Sequence, residues 1–469
     1  MIHSALRALL PDPNWSRNSG IGLKRSQTLF SQSEAILTAA AQAAWIGLRY
    51  QVPIIATTIE VGEDDVPMLK YRVPRINEVE EWAHRTLVVH HRPALDINRL
   101  REELGELKVP SPQGDQTWMH LVLDSSKDTA SVSRIGFIFH THHSVTDGNG
   151  GKIITNRYLA EFGTRLRAGN TSIPDFLWGT ESENLTPAIF NVLGPSEPVP
   201  IHPSSDQEPT FAHPFYRTLG GEMQSIGASM ENQYGFKARD GDQGWPDSRR
   251  AELVFSPKES KTLLTYMKNE PYTLAVLLHA ALAMVVMFYK PGSKDAKNSF
   301  LNNFVMVDVR SHLKVPYTGE GYPGYAIAPP MLRLPVSLFL TSEGTALALD
   351  KELLVKVMSE IRERYAEHKE RAISYIAPAS DIFAYAMKRS YAVDHHPVNQ
   401  CYMFSSDGPG EKFLKSTVRD TSGNTLFEIT KFFTFICHPT LRLISVCRLG
   451  RELWKLARIL TGTCWLRRT

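Results

Sequence analysis

The stretch that decides the fold is "GFIFHTHHSVTDGNGG", Gly136–Gly151, which packs three histidines, one aspartate and four glycines into sixteen residues directly after an apolar run. Upstream, "TWMHLVLD" (Thr117–Asp124) and "ASVSRIGFIFHTHH" (Ala130–His143) read as two strands of a hairpin. Downstream, Ile153, Ile154, Leu159, Phe162 and Leu166 fall near helical spacing. The unit is therefore strand, glycine turn, helix. In an extended strand successive side chains alternate, so His140 and His142 share one face while Thr141 and His143 share the other. The three imidazoles do not converge. A metal needs several N, O or S ligands around one ion, which His140, His142 and Asp147 supply only if the chain turns back. Asp147 also follows His142 by five residues, where the two-histidine, one-aspartate hydrolase pattern wants two. No metal is expected. A general base needs one imidazole at a substrate channel, and neutral histidine, with its ordinary pKa of about 6.5, accepts a proton at neutral pH without a large shift. At the end of the strand, His143 is the candidate.

The rest of the chain sets the frame. Its 469 residues, 42% hydrophobic and 22% charged, describe an ordinary globular protein of two large lobes or two to three domains. The net charge of +3 is uneven, because Lys431–Thr469 holds eight Lys or Arg residues against the single acid Glu452. No basic stripe interleaved with aromatics marks the main body, so no nucleic-acid partner is expected. The four cysteines (Cys401, Cys437, Cys447, Cys464) form no CxxC pair and give neither a zinc ribbon nor a secreted disulfide framework. The N-terminus is too weakly apolar for a signal peptide, so the expected location is cytoplasmic. "TLAVLLHAALAMVVMFY" (Thr273–Tyr289) is slightly short of the ~20 residues that cross a bilayer and contains His279, so it reads as a buried central helix and no transmembrane segment is expected.

The first lobe, residues 1–194, alternates helices and strands, beginning with an Ala-rich helical pattern over residues 21–52. "PSEPVPIHPSSDQEPTFAHP" (Pro195–Pro214) has six prolines in twenty residues and is the expected crossover, with irregular chain continuing to about residue 250. The second lobe, residues 251–469, then resumes with a strand and a helix capped by Ser256 and Pro257. It continues through the central helix, the strand-like "NNFVMVDVRSHL" (Asn302–Leu313), a Gly/Pro-rich loop, and a long helix over about Asp350–Lys369.

Within the turn, His142, His143, Asp147 and Gly148 spell HHxxxDG, placed after an apolar strand and before a helix. The chain here resembles the chloramphenicol acetyltransferase-like superfamily, which includes plant and fungal acyl-CoA-dependent acyltransferases and the condensation domains of peptide synthetases. "YTLAVLLHAALA" (Tyr272–Ala283), "NNFVMVDVRSHL" and "FSSDGPGEKFL" (Phe404–Leu414) follow the family's order. The likeness covers roughly residues 30–425 and is closest to fungal trichothecene 15-O-acetyltransferase-type enzymes. It implies an α/β (α+β) fold of two chloramphenicol acetyltransferase-like lobes with mixed sheets and a tunnel between them, in a monomer. It implies that His143 is the general base, that Asp147 is structural and pairs with Arg310 of "VDVRS", that His142 supports the turn, and that Gly148 leaves room where the substrates meet. Ser405 and Ser406 become candidates for the oxyanion or substrate contacts.

The resemblance further implies transfer of an acyl group, acetyl above all, from acyl-CoA to a hydroxyl of a fungal secondary metabolite. Acyl-CoA is then a cosubstrate, the partner is a small-molecule alcohol, and no cofactor is permanently bound. The alternatives are a free-standing condensation-type enzyme using a carrier-protein thioester and a non-catalytic binding protein of the same fold. No cysteine lies near the motif, so direct transfer is expected rather than an acyl-enzyme. The plant branch's DFGWG motif is absent. After about Phe427 the likeness fades into "HPTLRLISVCRLGRELWKLARILTGTCWLRRT", which is basic and carries no matching strand pattern, so the second lobe is expected to be incomplete from there.

Overall fold

The computed structural model describes residues 23–25, 33–61, 67–105, 107, 109–124, 132, 134–169, 172, 175–194, 210–236, 248–379, 381–382, 403–419, 423–429, 443–449 and 453–461. Helices and several separate sheets, the larger of them mixed, make an α+β fold organised around two main hydrophobic clusters.

The first cluster lies between two helices and a six-stranded sheet. Ser33 caps the helix Glu34–Gln51 by accepting from the Ile36 N–H, and the small residues Ala40, Ala41 and Ala44 let that helix sit close to its neighbours. Trp45 stacks on Trp82 at 5.3 Å and donates its indole N–H to Thr86 Oγ1 at 2.9 Å, so the largest core side chain leaves no polar group unpaired. From the helix Gly148–Ala168, Ile154, Tyr158 and Phe162 fill the same core. In the sheet the strands run in the order Thr417–Arg419, Thr425–Ile429, Leu23–Arg25, Ile135–Thr141, Thr117–Leu123, Leu87–His91. The predicted hairpin is present, antiparallel from Thr117 opposite Thr141 to Leu123 opposite Ile135. The other face of the sheet is covered in part by the helix Ile97–Gly105, whose Leu100 and Leu104 pack on Val122 and Ile138.

In the second cluster the helix Leu274–Tyr289 is apolar all round and is buried as a core element. It packs with Leu353, Leu354, Val357 and Ile361 of the helix Lys351–Arg371 over the ribbon formed by Phe300–Phe304 and Met331–Pro335. Among the described residues no helix is long and apolar enough to cross a membrane. His279, the polar residue of that apolar run, is fully buried with Nδ1 2.8 Å from the Tyr365 hydroxyl and Nε2 3.3 Å from Asn303 Nδ2. Asn303 Oδ1 in turn accepts the Phe404 N–H at 3.1 Å, which ties the strand Met403–Pro409 to the helix.

Four expectations need correction. The N-terminal helical pattern begins only at Glu34, and Leu23–Arg25 is a strand paired with Phe427–Ile429. Helix Pro214–Glu231 occupies part of the stretch expected to be irregular: Pro214 sits at its first turn, where no N–H is needed, and Phe215 and Ile226 are buried, while the pair Gly220 and Gly221 obscured the periodicity. Residues 195–209 of the proline-rich crossover lie outside the described residues. Strands Thr417–Arg419 and Thr425–Ile429 join the first sheet rather than the second lobe, since strand pairing is non-local and no local pattern announces it. The basic tail is not without strands. Leu443–Leu449 pairs parallel to Met403–Pro409, and Leu453–Thr461 bridges it to Ser248–Val254 in a four-stranded sheet. Interspersed Lys and Arg hid the alternation there.

Burial leaves several histidines neutral. It lowers the pKa of His120 to about 3, with the neighbouring His140 and His90 adding to the effect, and that of His279 to about 3. Unfolding returns each to its ordinary value, so below about pH 6.5 the unfolded chain binds protons that the fold refuses, at ~1.4 kcal/mol per group per pH unit. Stability measured by urea unfolding should be level above about pH 6.5 and fall steeply toward pH 5; a flat profile there would contradict neutral burial of these rings.

Candidate active site

The strand Ile135–Thr141 ends one residue before the histidine pair, and the chain turns through His143, Ser144 and Val145 into the helix that opens at Gly148. Asp147 is the N-cap of that helix, its Oδ1 accepting the Gly150 N–H at 2.8 Å. Its carboxylate is buried, and its other bonds come from distant sequence. Arg310 Nη2 donates to both oxygens at 3.0 and 2.9 Å, and the Ala326 N–H donates to Oδ2 at 2.8 Å. Arg310 is as deeply buried, and its remaining donors reach the Tyr322 carbonyl at 2.8 Å, the Gly324 carbonyl at 2.6 Å and Asp308 Oδ1 at 3.2 Å. Thr146 Oγ1 donates to the Pro323 carbonyl at 2.6 Å, and Asn149 Nδ2 donates to Asp308 Oδ2 at 2.9 Å. The predicted partners Asp147 and Arg310 thus meet, and together with residues 322–326 they form a clamp across the two halves of the chain.

The two histidines of the motif hold opposite tautomers. His143 Nδ1 lies 2.9 Å from the Thr146 carbonyl, which can only accept, so Nδ1 carries the proton and the Nε2 lone pair is free. His142 Nδ1 accepts the Ser144 N–H at 3.3 Å and lies 2.7 Å from the Ser144 hydroxyl, so its proton sits on Nε2. Burial, and to a smaller extent the charge of His143, lowers the His142 pKa. Ser144 also reaches Gln116 Oε1 at 3.3 Å, which fastens this side of the turn to the neighbouring strand. His143 is exposed, and its Nε2 meets no partner among the described residues. His140 belongs elsewhere: its ring lies 5.5 Å from Trp118 and 5.9 Å from His120 across the sheet, and burial lowers its pKa to about 4. Among the described residues no group of three or more His, Cys, Asp or Glu is arranged to hold a metal ion.

Some features were not legible in the sequence. The close approach falls on Gly150, where an added Cβ would meet Thr146 Oγ1 at 2.1 Å, the Pro323 carbonyl oxygen at 2.2 Å and Arg310 Nη2 at 3.0 Å. Gly148, the glycine singled out from the motif, is simply the first helical residue after the cap. Tyr325, whose ring lies 5.6 Å from that of His143 at 63°, was hidden in a Gly/Pro-rich loop; the order of the loop after the arginine-bearing strand is the signal that could have placed it. Ser405 and Ser406 are half-buried on the strand Met403–Pro409, opposite Ser445 and Val446, and no contact among the described residues joins either to the His143 turn.

The fold is that of the chloramphenicol acetyltransferase-like superfamily. The family model for 15-O-acetyltransferase Tri3 matches residues 25–329, and the chain belongs to that family. It is 21% identical over 424 residues to the trichothecene O-acetyltransferase TRI3 of Trichoderma arundinaceum, covering 85% of this chain and 77% of that one. It is 23% identical over 299 residues to the O-acetyltransferase pigM of Monascus ruber, covering 62% of this chain and about half, 50%, of that relative. The solved TRI3 trichothecene 15-O-acetyltransferase of Fusarium sporotrichioides superposes with a TM-score of 0.75 at 18% identity, over 94% of this chain and 85% of that one. A first condensation domain of the calcium-dependent antibiotic synthetase superposes at 0.53 and 14% identity, covering 95% and 85%.

Removing one partner of a buried, multiply bonded ion pair costs ~3–5 kcal/mol. Arg310→Ala and Asp147→Ala should each lower stability by that order in chemical denaturation, and the double variant should cost far less than the sum. Gly150→Ala, a change of one methyl, should disrupt the turn as severely, read as loss of unfolding midpoint; a neutral result would mean that the clamp is looser than these distances require.

Proposed function

We propose that the chain transfers an acyl group, acetyl first among candidates, from acyl-CoA to a hydroxyl of a small secondary metabolite, with His143 as the general base. The observation that carries this reading is the bond from His143 Nδ1 to the Thr146 carbonyl, which leaves Nε2 as an exposed lone pair on a rigid turn. The family relationship supplies the reaction class: its named relatives are O-acetyltransferases.

In the proposed cycle the acceptor hydroxyl gives its proton to His143 Nε2 as its oxygen attacks the thioester carbonyl. The imidazolium is steadied through Nδ1–H by the Thr146 carbonyl. Collapse of the tetrahedral intermediate breaks the C–S bond, and the thiolate takes the proton back from Nε2. No net proton is left on the enzyme. Asp147 orients nothing on His143 directly, unlike the acid of a Ser-His-Asp triad; it acts by holding the turn. A carrier-bound thioester is the alternative donor, and the likeness to condensation domains speaks for the fold alone.

Incubating the purified chain with acetyl-CoA and a panel of hydroxylated small molecules should give acceptor-dependent release of free thiol. His143→Ala should lower that turnover by ~10²–10⁴ while leaving the unfolding midpoint in place. Near-wild-type turnover in the variant would remove His143 from the role of base, and release absent with every acceptor would count against the activity itself.

A further inference from the structure

The clamp holds one more side chain against the base. On the N-terminal side of Tyr325, the Tyr322 and Gly324 carbonyls accept from Arg310 and the Pro323 carbonyl accepts from Thr146. On its C-terminal side, the Ala326 N–H donates to Asp147. The backbone of Tyr325 is therefore fixed to the His143 turn from both directions, and the two rings meet in a T-shaped contact with centroids 5.6 Å apart. Tyr322 is committed elsewhere: its hydroxyl donates to the Pro187 carbonyl at 2.9 Å, and its ring belongs to a core cluster of the second half. The Tyr325 hydroxyl, by contrast, has no hydrogen-bond partner among the described residues and is not a sealed-off orphan. Burial of the ring and, secondarily, the charge of Asp147 push its phenol well above the usual range, so it remains a proton donor throughout the working pH.

Resting on the acyl-transfer reading above, we propose that Tyr325 is a catalytic residue whose hydroxyl donates a hydrogen bond to the thioester carbonyl oxygen and stabilises the oxyanion formed there. As the acceptor C–O bond forms, the carbonyl π pair moves onto that oxygen, which the phenol O–H holds without giving up its proton. When the pair returns, the C–S bond breaks and the thiolate leaves. Preorganised donors of this kind gain their effect by needing no reorientation during the reaction, and a side chain whose flanking backbone makes two bonds to Thr146 and Asp147 of the base's own turn and two to Arg310, the partner of Asp147, meets that condition. Ser405 and Ser406, the candidates that the family resemblance implied, have no such tie to the turn among the described contacts.

The test uses the full chain with Tyr325→Phe and Tyr325→Ala, assayed by acceptor-dependent thiol release at saturating substrates. Loss of a single oxyanion donor lowers kcat by ~10²–10³. Tyr325→Phe should show a fall of that order with KM for the acyl donor within a few-fold of wild type and an unchanged unfolding midpoint. Tyr325→Ala removes the ring as well and should lower kcat at least as far as Tyr325→Phe. A Phe variant with wild-type kcat, measured beside an inactive His143→Ala, overturns the proposal and leaves the base in place. A wild-type chain that releases no thiol with any acceptor overturns the acyl-transfer reading itself, and this inference with it.

Discussion

The buried pair of Asp147 and Arg310 is the interaction on which the rest of the arrangement depends. Neither charge is acceptable in the interior alone, and each is matched by hydrogen bonds as well as by the other. The carboxylate receives the N–H of Gly150, both contacts of Arg310 and the N–H of Ala326; the guanidinium spends its remaining donors on Tyr322, Gly324 and Asp308. Because these donors and acceptors come from two distant parts of the chain, satisfying them forces the parts together. Asp147 does this while also capping the helix Gly148–Ala168, so one side chain ends a turn, starts a helix and joins two halves.

Chemistry follows from that restraint. A histidine at a strand end has rotational freedom and two tautomers. Here the turn that Asp147 holds places the Thr146 carbonyl against His143 Nδ1 and so selects the tautomer with a free Nε2. The adjacent His142 is driven into the other tautomer by the Ser144 N–H. Two identical side chains, consecutive in sequence, are thus made chemically different by their backbone neighbours. The same clamp brings the Tyr325 ring against that of His143, so the second half of the chain contributes a side chain beside the turn.

Elsewhere the interior uses neutral histidine as a structural polar residue. His279 sits in an otherwise apolar helix and reaches the strand Met403–Pro409 through Asn303, so a polar relay sets the position of that strand against the core. His120 and His140 lie side by side across the first sheet, held uncharged by burial. Because these rings are held neutral, they make the fold sensitive to acid.

By itself the sequence determined the strand–turn–helix around HHxxxDG and the central apolar helix, because periodicity, caps and turn residues act over a few positions. The pairing of Asp147 with Arg310 was expected only through the resemblance to a known family, since no local pattern links two residues so far apart. Only tertiary structure decided which glycine must lack a side chain, because the crowding at Gly150 comes from Pro323 and Arg310 far along the chain. It alone placed residues 417–429 in the first sheet and strands in the basic tail, since hydrogen bonds between strands depend on partners that no local pattern names. The tautomers of His142 and His143 were decided there too, by single backbone contacts whose geometry exists only once the turn has closed.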